Sequence, residues 1–414
     1  MAVVRLSGPA AAAAVARLAG SLPPPRRARL RTLAFEGREI DRALLLWFPA
    51  PASFTGEDVA EFHIHGGRAV REALFSALLA AGARPAEPGE FSRRAVENGK
   101  LDLTRAEAIA DLVDAETPAQ LRQALRQHDG ALAALVEGWR ARLVAALGRA
   151  EAAIDFSDDG VGDMEFAAAR RAAGEIAEEI QEHIQSAGRG ESLREGLRLT
   201  ILGPPNAGKS SLINALARRD VAIVSDIPGT TRDVVEARLD LGGYLLTVAD
   251  TAGVRRTGDA VEAEGVRRAL SHAAGGMTLL LLDAGAEDPR AGLPPDLAEP
   301  DLTVWNKRDL APHDGLSISL KTGEGLPDLM KMLQRKVQQK LEGGGAPLLT
   351  RARHRAALEE AAVALRHGLQ APSDRPELLA EDLRLAMRAV GRVTGRVDVE
   401  EVLDFVFRDF CIGK

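Results

Sequence analysis

An α/β unit carried inside a helical one, behind a small α+β unit at the N-terminus, is the architecture that three features of this sequence predict. Leu197 to about Leu341 alternates strand-like and helix-like stretches around a glycine loop, Gly203-Pro-Pro-Asn-Ala-Gly-Lys-Ser-Ser211, which is the pattern of a parallel sheet. On either side, from about Leu101 and again after Gly343-Gly-Gly345, alanine and leucine recur at helical spacing with charges between. The first hundred residues hold short strand-like runs and a helix opened by a glycine pair. The expected divisions are 1–98 (α+β), 99–195 (helical, first part), 196–342 (the α/β insert) and 343–414 (helical, second part, with the tail Phe410-Cys-Ile-Gly-Lys414).

A chain of 414 residues suits two or three domains. At 46% hydrophobic and 27% charged, its composition is that of an ordinary soluble protein. The net charge of -7 provides no bulk basic field, so any contact with nucleic acid must be local. No run approaches the ~20 apolar residues of a membrane span, and the alanine-rich stretch Ala10–Ala16 is too short and weakly apolar for a signal peptide. The single cysteine, Cys411, excludes an internal disulfide and a cysteine-only zinc site. These features together suggest a cytoplasmic protein with no membrane partner.

In the first unit, Thr32–Phe35 and Ala43–Phe48 read as strands, Pro23-Pro-Pro25 as loop, and Val59–His65 alternates before Gly66-Gly67 opens a helix to about Ala81. His63 and His65 would share a strand face; a metal pair is one reading, and a pair beside a pocket or a plain structural pair is the other. The chain opens abruptly inside what reads as a strand, Met1–Pro9, so residues upstream are expected. Helices are expected over Ala106–Ala115, Ala119–Gln127, Ala131–Phe156 and, after the acidic Ser157–Asp163, over Glu165–Ser186. Their arginines, Arg122, Arg126, Arg140, Arg142 and Arg149, read as solvated faces, with RNA contact as the alternative. Beyond the insert, Arg351–Leu369, Glu377–Gly391 and Val399–Phe410 read as helices of the same bundle.

The insert carries the chemistry. Leu197–Leu202 reads as a buried strand and Leu212–Leu216 as the start of a helix, so the loop between them satisfies the phosphate-loop pattern G-x-x-x-x-G-K-[ST] in its proper context. Gly203 and Gly208 let backbone N–H groups turn toward phosphate oxygens, and the helix start adds partial positive charge. Asn206, Ala207 and Ser211 complete the loop; Lys209 reaches the β- and γ-phosphates, and Ser210 binds Mg²⁺. Val234–Leu241 and Tyr244–Ala249 read as a hairpin turned by Gly242-Gly243, and Met277–Asp283 and Leu302–Trp305 as buried strands. Asp250-Thr251-Ala252-Gly253 ends a strand, where its carboxylate can hold the Mg²⁺ shell and its glycine N–H can sense the γ-phosphate. Asn306-Lys307-Arg308-Asp309 follows another strand. A carboxylate there accepts two hydrogen bonds from guanine that adenine cannot offer, and Ser319-Leu320-Lys321 closes the base pocket. Asp226-Ile227-Pro228-Gly229-Thr230-Thr231-Arg232-Asp233 is a candidate switch, with Thr231 a second Mg²⁺ ligand. In this order, the motifs point to a Ras-like P-loop G domain that binds GTP and GDP.

Val254 stands where many such domains carry a glutamine that orients water. Either hydrolysis is very slow or another group supplies the polarity. The Asn206 side chain, with carbonyls of a folded switch, can hold a monovalent cation against the phosphates. Glu262 can polarise water through a second water, or can be a solvated glutamate at a helix start.

The whole chain resembles the MnmE (TrmE) family of tRNA-modification GTPases. The resemblance is carried by Ser53-Phe-Thr-Gly-Glu-Asp-Val59, His65-Gly-Gly67, Pro88-Gly-Glu-Phe91, Asn98-Gly-Lys-Leu-Asp-Leu103, Ala106-Glu-Ala-Ile-Ala-Asp-Leu112, the Asp226–Asp233 switch and the ending Phe410-Cys-Ile-Gly-Lys414. It implies a homodimer with a folate-binding N-terminal domain, a helical domain and an inserted potassium-activated G domain whose dimerisation is coupled to hydrolysis. It also implies a flavoprotein partner, MnmG (GidA), and aminomethyl-type addition at carbon 5 of the wobble uridine of certain tRNAs. The carbon would come from 5-formyl- or methylene-tetrahydrofolate. By the same resemblance Arg5, Glu61, Lys100 and Lys414 contact folate. Asn206 and the backbone of Ser225, Ile227 and Thr230 bind K⁺, Ser210 and Thr231 bind Mg²⁺, Glu262 is catalytic, and Cys411 takes part in the modification chemistry. Two departures stand out. The family's glycine-rich stretch before Val3-Val4-Arg5 is missing, which leaves the first strand and part of the folate and dimer surface unmatched. Leu320 replaces the usual alanine.

Rival readings are a ribosome-assembly GTPase, which would need neither the N-terminal unit nor the Cys411 tail, and a degenerate G protein, against which Lys209, Asp250 and Asp309 speak. The ending Cys411–Lys414 is not a prenylation box, because Gly413 is not aliphatic and Lys414 is an unusual last residue.

Overall fold

A computed structural model of the chain describes residues 1–156, 161–219, 221–223, 236–249, 276–294, 297–342, 347–397, 403, 406 and 407. The chain forms two compact units, Met1–Ala110 with Gly391–Lys414, and Asp111–Val390.

In the first unit, β1 (Ala2–Ser7), β2 (Arg29–Phe35), β3 (Arg38–Phe48) and β4 (Val59–Ile64) form an antiparallel sheet in the order β1-β4-β3-β2. The strand that the resemblance left unmatched is thus present as β1. The alanine-rich stretch is helix α1 (Ala11–Ala19), and α2 (Arg68–Ala80) follows the glycine pair. Val15 and Leu18 of α1 and Leu74, Ala77 and Leu78 of α2 are buried in one cluster with Leu33, Leu45, Phe62 and Ile64 of the sheet. Each such large side chain contributes about 1.5–3 kcal/mol by leaving water. Alternation puts Arg5, Glu61 and His63 on the opposite face, with Arg5 directly across from Glu61. Helix α3 (Glu90–Glu97), which periodicity does not reveal, comes next. α4 (Leu103–Asp114) starts earlier than expected because the Asp102 carboxylate accepts from the Thr104 and Arg105 N–H groups, 2.9 and 3.2 Å away. Leu103 and Ala106 are buried with Leu403, Val406 and Phe407. These last three are the described part of the expected Val399–Phe410 helix, and all are helical.

The second unit contains α5 (Pro118–His128), α6 (Ala131–Asp155) and α7 (Val161–Glu195). α7 exceeds its expected Glu165–Ser186 at both ends. It takes in Val161–Asp163, so the acidic interruption is shorter than the sequence suggests. It also runs on through Gly188 and Gly190; at Gly190, close packing against Pro347 and Leu349 overrides weak glycine propensity. The α/β part is a five-stranded sheet of order β6-β7-β5-β8-β9, made of β5 (Leu197–Leu202), β6 (Glu236–Asp240), β7 (Leu245–Ala249), β8 (Met277–Asp283) and β9 (Leu302–Asn306). β7, β5, β8 and β9 are parallel; β6 returns antiparallel through the expected two-glycine turn, with φ of 66° at Gly242 and 91° at Gly243. Helices α8 (Lys209–Ala217) and α9 (Leu326–Leu341) cover it, burying Leu212, Ile213, Leu216, Leu329, Leu333 and Val337 against β5, β7 and β8. α10 (Ala352–Gly368) and α11 (Pro376–Thr394) follow. The Gly343–Gly345 linker lies outside the described residues. Among those described, no helix is long and apolar enough to cross a membrane.

Candidate functional site

Four parallel strands end at one edge of the second sheet, the edge where open α/β sheets bind ligands. β5 runs there into Gly203, β8 ends at Asp283, β9 at Asn306, and β7 at Ala249, directly before Asp250. Gly203 has φ of 151°, and a Cβ there would lie 2.2 Å from the Leu281 carbonyl oxygen; at Gly208, with φ of 103°, it would lie 2.5 Å from Asn306 Nδ2. Only glycine fits either position, so the loop closes tightly over the sheet edge. Gly208 caps α8, whose first turn presents the N–H groups that a helix cannot bond internally. Ser210, Ser211 and Asn206 are exposed, Asn206 in the left-handed region at φ of 61°, while Ala207 is buried. Lys209 Nζ donates to the Gly203 and Pro204 carbonyls at 2.6 and 2.9 Å, so its ammonium sits over the loop.

The segment after β9 is tied to this loop by Asn306. It is 4% exposed; its Nδ2 donates to the Ala207 carbonyl at 2.8 Å, and its Oδ1 accepts from the Leu320 N–H at 3.3 Å. Asn306 is therefore a tether between the glycine loop after β5 and the 319–321 loop. Leu320 packs toward Gly208, its Cδ1 3.2 Å from where a Cβ would stand. Lys307, at φ of 64°, pairs with the Asp283 carboxylate. Burial would raise the Asp283 pKa, but the Lys307 ammonium and the Gly285 N–H outweigh it and hold it below the ordinary value. Sequence reasoning missed Asp283, although its place at the end of a buried strand was a signal. Asp309 is exposed and accepts at Oδ1 from the buried Ser319 hydroxyl at 2.8 Å; that hydroxyl itself accepts from the Thr322 N–H at 3.1 Å. Lys321 is exposed beside it. This donor set fits a guanine nucleotide with Mg²⁺: a cradle with no room for a Cβ, an ammonium over it, the Ser210 hydroxyl, and a fixed carboxylate at Asp309. Ser225, Asp226, Ile227, Pro228, Gly229, Thr230, Thr231, Asp250, Thr251, Ala252, Gly253, Val254 and Glu262 lie outside the described residues.

Asp309→Asn is expected to weaken GTP binding about 10- to 100-fold, the scale of a lost charged hydrogen-bond pair, and to shift preference toward xanthosine nucleotides. Xanthine presents a carbonyl where guanine has its amine. Titration calorimetry with GTP and XTP checks this, and unchanged GTP affinity would remove Asp309 from the base pocket.

A second polar cluster lies in the first unit. Arg5 donates through Nε and Nη2 to Glu61 Oε1 at 3.0 and 2.8 Å, and His63 Nε2 lies 3.4 Å from Glu61 Oε2. The Arg5 guanidinium stands 5.7 Å from the Phe54 ring centre and 5.6 Å from that of Phe91. Around it, three of the quoted motifs meet. Asn98 Nδ2 donates to the Thr55 carbonyl and Lys100 Nζ to that of Pro51, each at 2.8 Å. The Ser7 hydroxyl donates to Glu57 Oε2 at 2.8 Å, and Arg94 donates to Glu57 at 3.0 Å and to Glu90 at 2.6 Å. Arg5 and Glu61 are thus brought together, Lys100 is turned to a neighbouring loop, and Lys414 and Cys411 lie outside the described residues. Glu57, Glu90 and Arg94 were missed as site residues; the two glutamates stood inside quoted motifs, and Arg94 carried no signal. His65 bonds Asp41 Oδ1 at 2.8 Å, so the two histidines serve different carboxylates rather than one face. Among the described residues no group of three metal-ligating side chains is found. In the helical part, Arg140, Arg142 and Arg149 pair with Glu137, Glu179 and Glu165.

Burial alone would raise the Glu90 pKa, but Arg84, Arg94 and the Glu87 N–H pull it from 4.5 down to about 2. Because its folded pKa is depressed, Glu90 stabilises the fold above its unfolded pKa, and that contribution disappears as pH falls through the folded value. Stability of the first unit should therefore drop between about pH 4.5 and 2, and Arg94→Ala should flatten that drop in acid titrations followed by circular dichroism. An unchanged slope would contradict the assignment.

Residues 1–100 match the family described as "GTP-binding protein TrmE N-terminus", and residues 103–411 that described as "MnmE helical domain". The chain is similar to the tRNA modification GTPase MnmE of Rhodospirillum rubrum, at 54% identity over 443 residues, covering 100% of this chain and 96% of the relative. The MnmE proteins of Paramagnetospirillum magneticum and Parvibaculum lavamentivorans are 53% and 52% identical, each covering 100% of this chain and 96% and 97% of the relatives. Among solved structures, the G domain of the T. maritima FeoB iron transporter is 21% identical, covers 34% of this chain and 99% of its own, and has a TM-score of 0.24.

Proposed function

The chain belongs to the MnmE (TrmE) family of tRNA modification GTPases, and on that premise we propose that it hydrolyses GTP to drive modification of carbon 5 of the wobble uridine in certain tRNAs. GTP hydrolysis in tRNA modification is the activity that membership carries. The observation that best supports the nucleotide reading is the Asn306 tether, which joins a phosphate-type loop to a base-type loop at one sheet edge. In the proposed reaction Lys209 holds the β- and γ-phosphates, Ser210 and Thr231 hold Mg²⁺, and Asp309, fixed by Ser319, selects guanine. Asn206 with the backbone of Ser225, Ile227 and Thr230 would hold a potassium ion, which when bound offsets charge developing between the β- and γ-phosphates. Glu262 polarises the attacking water, the role left open by Val254.

In the first unit, Arg5, Glu61, Lys100 and Lys414 would hold a tetrahydrofolate that supplies the one-carbon unit. The aromatic walls of Phe54 and Phe91 beside Arg5 suit a flat heterocycle. Cys411 would act in the modification itself. The working assembly is a homodimer with the flavoprotein MnmG in the cytoplasm, where its tRNA substrate lies.

Two measurements test this reading. Mass spectrometry of tRNA from cells lacking the protein should show wobble uridine without its carbon-5 group, and the wild-type chain should restore it; an unchanged nucleoside profile would overturn the tRNA assignment. GTP turnover should be faster in K⁺ than in Na⁺, because the smaller ion fits a carbonyl cage poorly, and Asn206→Ala should remove the difference. Equal rates in both salts for the wild type would sink the potassium site.

A further inference from the structure

The β6–β7 hairpin joins two regions of the second unit that the function so far leaves unconnected. At its open end the chain runs from Asp233 into β6 at Glu236, and from β7 at Ala249 into Asp250, so both strands lead into segments assigned above to the nucleotide. Residues 221–223, which lead toward Ser225, are also laddered to it. Ile223 N–H donates to the Arg238 carbonyl and Asp240 N–H to that of Val221, each at 2.8 Å.

At its closed end the hairpin completes the N-terminus of α5. The first turn of a helix has N–H groups without internal partners. In α5, Pro118 at the first position has none to satisfy, and Gln120 N–H goes to the Thr117 hydroxyl in a capping box. Ala119 N–H is satisfied from outside the helix, by the Gly243 carbonyl of the hairpin turn at 3.0 Å. Beside this bond Arg238 of β6 pairs with Glu116, just ahead of α5. The turn itself is fixed. Asp240 Oδ1 accepts from Gly243 N–H at 2.7 Å, and a Cβ at Gly242 would come within 2.4 Å of Gln334 on α9. α5 is in turn tied to the crossing point of the chain. Gln120 donates to the Arg194 carbonyl at 2.8 Å, and Asp111 gathers Arg194 and Arg351, which flank the exit from and the return to the helical bundle.

We propose that this hairpin is the mechanical link through which the bound nucleotide biases α5, with Arg238 and Glu116 as its positioning residues. The inference rests on the reading of Asp226–Asp233 and Asp250–Gly253 as nucleotide-facing segments. A ladder of five paired residues, about 16 Å long, moves as a piece. A displacement at its base must therefore shift Gly243 and Arg238 against α5 or break the bonds they make there. Two discrete bonding arrangements of one packed element are the physical basis of coupling between sites.

The test is hydrogen exchange of residues 116–128 in the full-length protein, with GDP and with a non-hydrolysable GTP analogue. In the wild type, exchange rates there should differ about fivefold or more between the two nucleotides, the lower range of ordinary coupling. Arg238→Glu or Glu116→Arg alone should abolish that difference while leaving affinity for both nucleotides within about twofold, because neither residue is among those assigned to the nucleotide. The double exchange of charges should restore it. A purely structural ion pair would alter exchange equally in both nucleotide states. Nucleotide binding without any difference in the wild type, or a difference that survives both single reversals, overturns the link and leaves the nucleotide site standing. Failure of the wild type to bind either nucleotide removes the site and the link together.

Discussion

Lys209→Ala is expected to lower GTP turnover about 10³-fold while leaving thermal stability within about 0.5 kcal/mol of wild type. Both halves follow from the place of the ammonium. It is half-exposed at the start of α8, and its donation to the Gly203 and Pro204 carbonyls is to its own loop, so water reaches the position in the folded protein. Against phosphates the same ammonium is a preorganised cation, and under the proposed function it shares with the K⁺ ion the charge developing between the β- and γ-phosphates. Lys209→Arg should not rescue, because a planar fork cannot occupy a position where a compact ammonium meets two loop carbonyls. Steady-state turnover paired with thermal melts checks the prediction; a fall of less than about tenfold would mean that phosphate binding is carried elsewhere.

Two glycines on α7 should respond in opposite directions to alanine. At Gly188 a Cβ would meet nothing within 4 Å, so Gly188→Ala should stabilise by about 1 kcal/mol through helix propensity. At Gly190, two residues on, a Cβ would stand 1.9 Å from the Leu349 carbonyl oxygen and 2.9 Å from its carbonyl carbon. Gly190→Ala must therefore push α7 and the returning chain apart, at a cost of about 3 kcal/mol, the upper range for overpacking. Opposite shifts of melting temperature are expected, read on the full chain. Equal shifts would show that the helix and the returning segment do not touch as described. The loss at Gly190 should also weaken the Asp111 clamp on Arg194 and Arg351, which closes the same crossing.

What the sequence determined by itself is what short-range chemistry dictates. Gly203 and Gly208 are required by backbone conformation, and the strand before and helix after them follow from local hydrophobic pattern, so the glycine loop, its neighbours and the hairpin of Gly242-Gly243 were legible in the chain alone. So was the place of the Asp309 carboxylate just past the end of β9, because its motif follows a strand.

Only the tertiary structure decided which side chains hold these pieces together. Asn306 reads in sequence only as part of a nucleotide motif, and the fold adds that it tethers Ala207, 99 residues away. Asp283 and Lys307, Arg94 and Glu57, and Arg238 and Glu116 are pairs separated by 24, 37 and 122 residues. The extent of α7 was decided in the same way, since Gly190 weakens a helix locally and is kept in one by the close approach of Leu349. A charged or polar residue states which partners it accepts, not which one the fold will bring within 3 Å. That choice is made when burial of the strands and helices fixes the register in which distant segments meet.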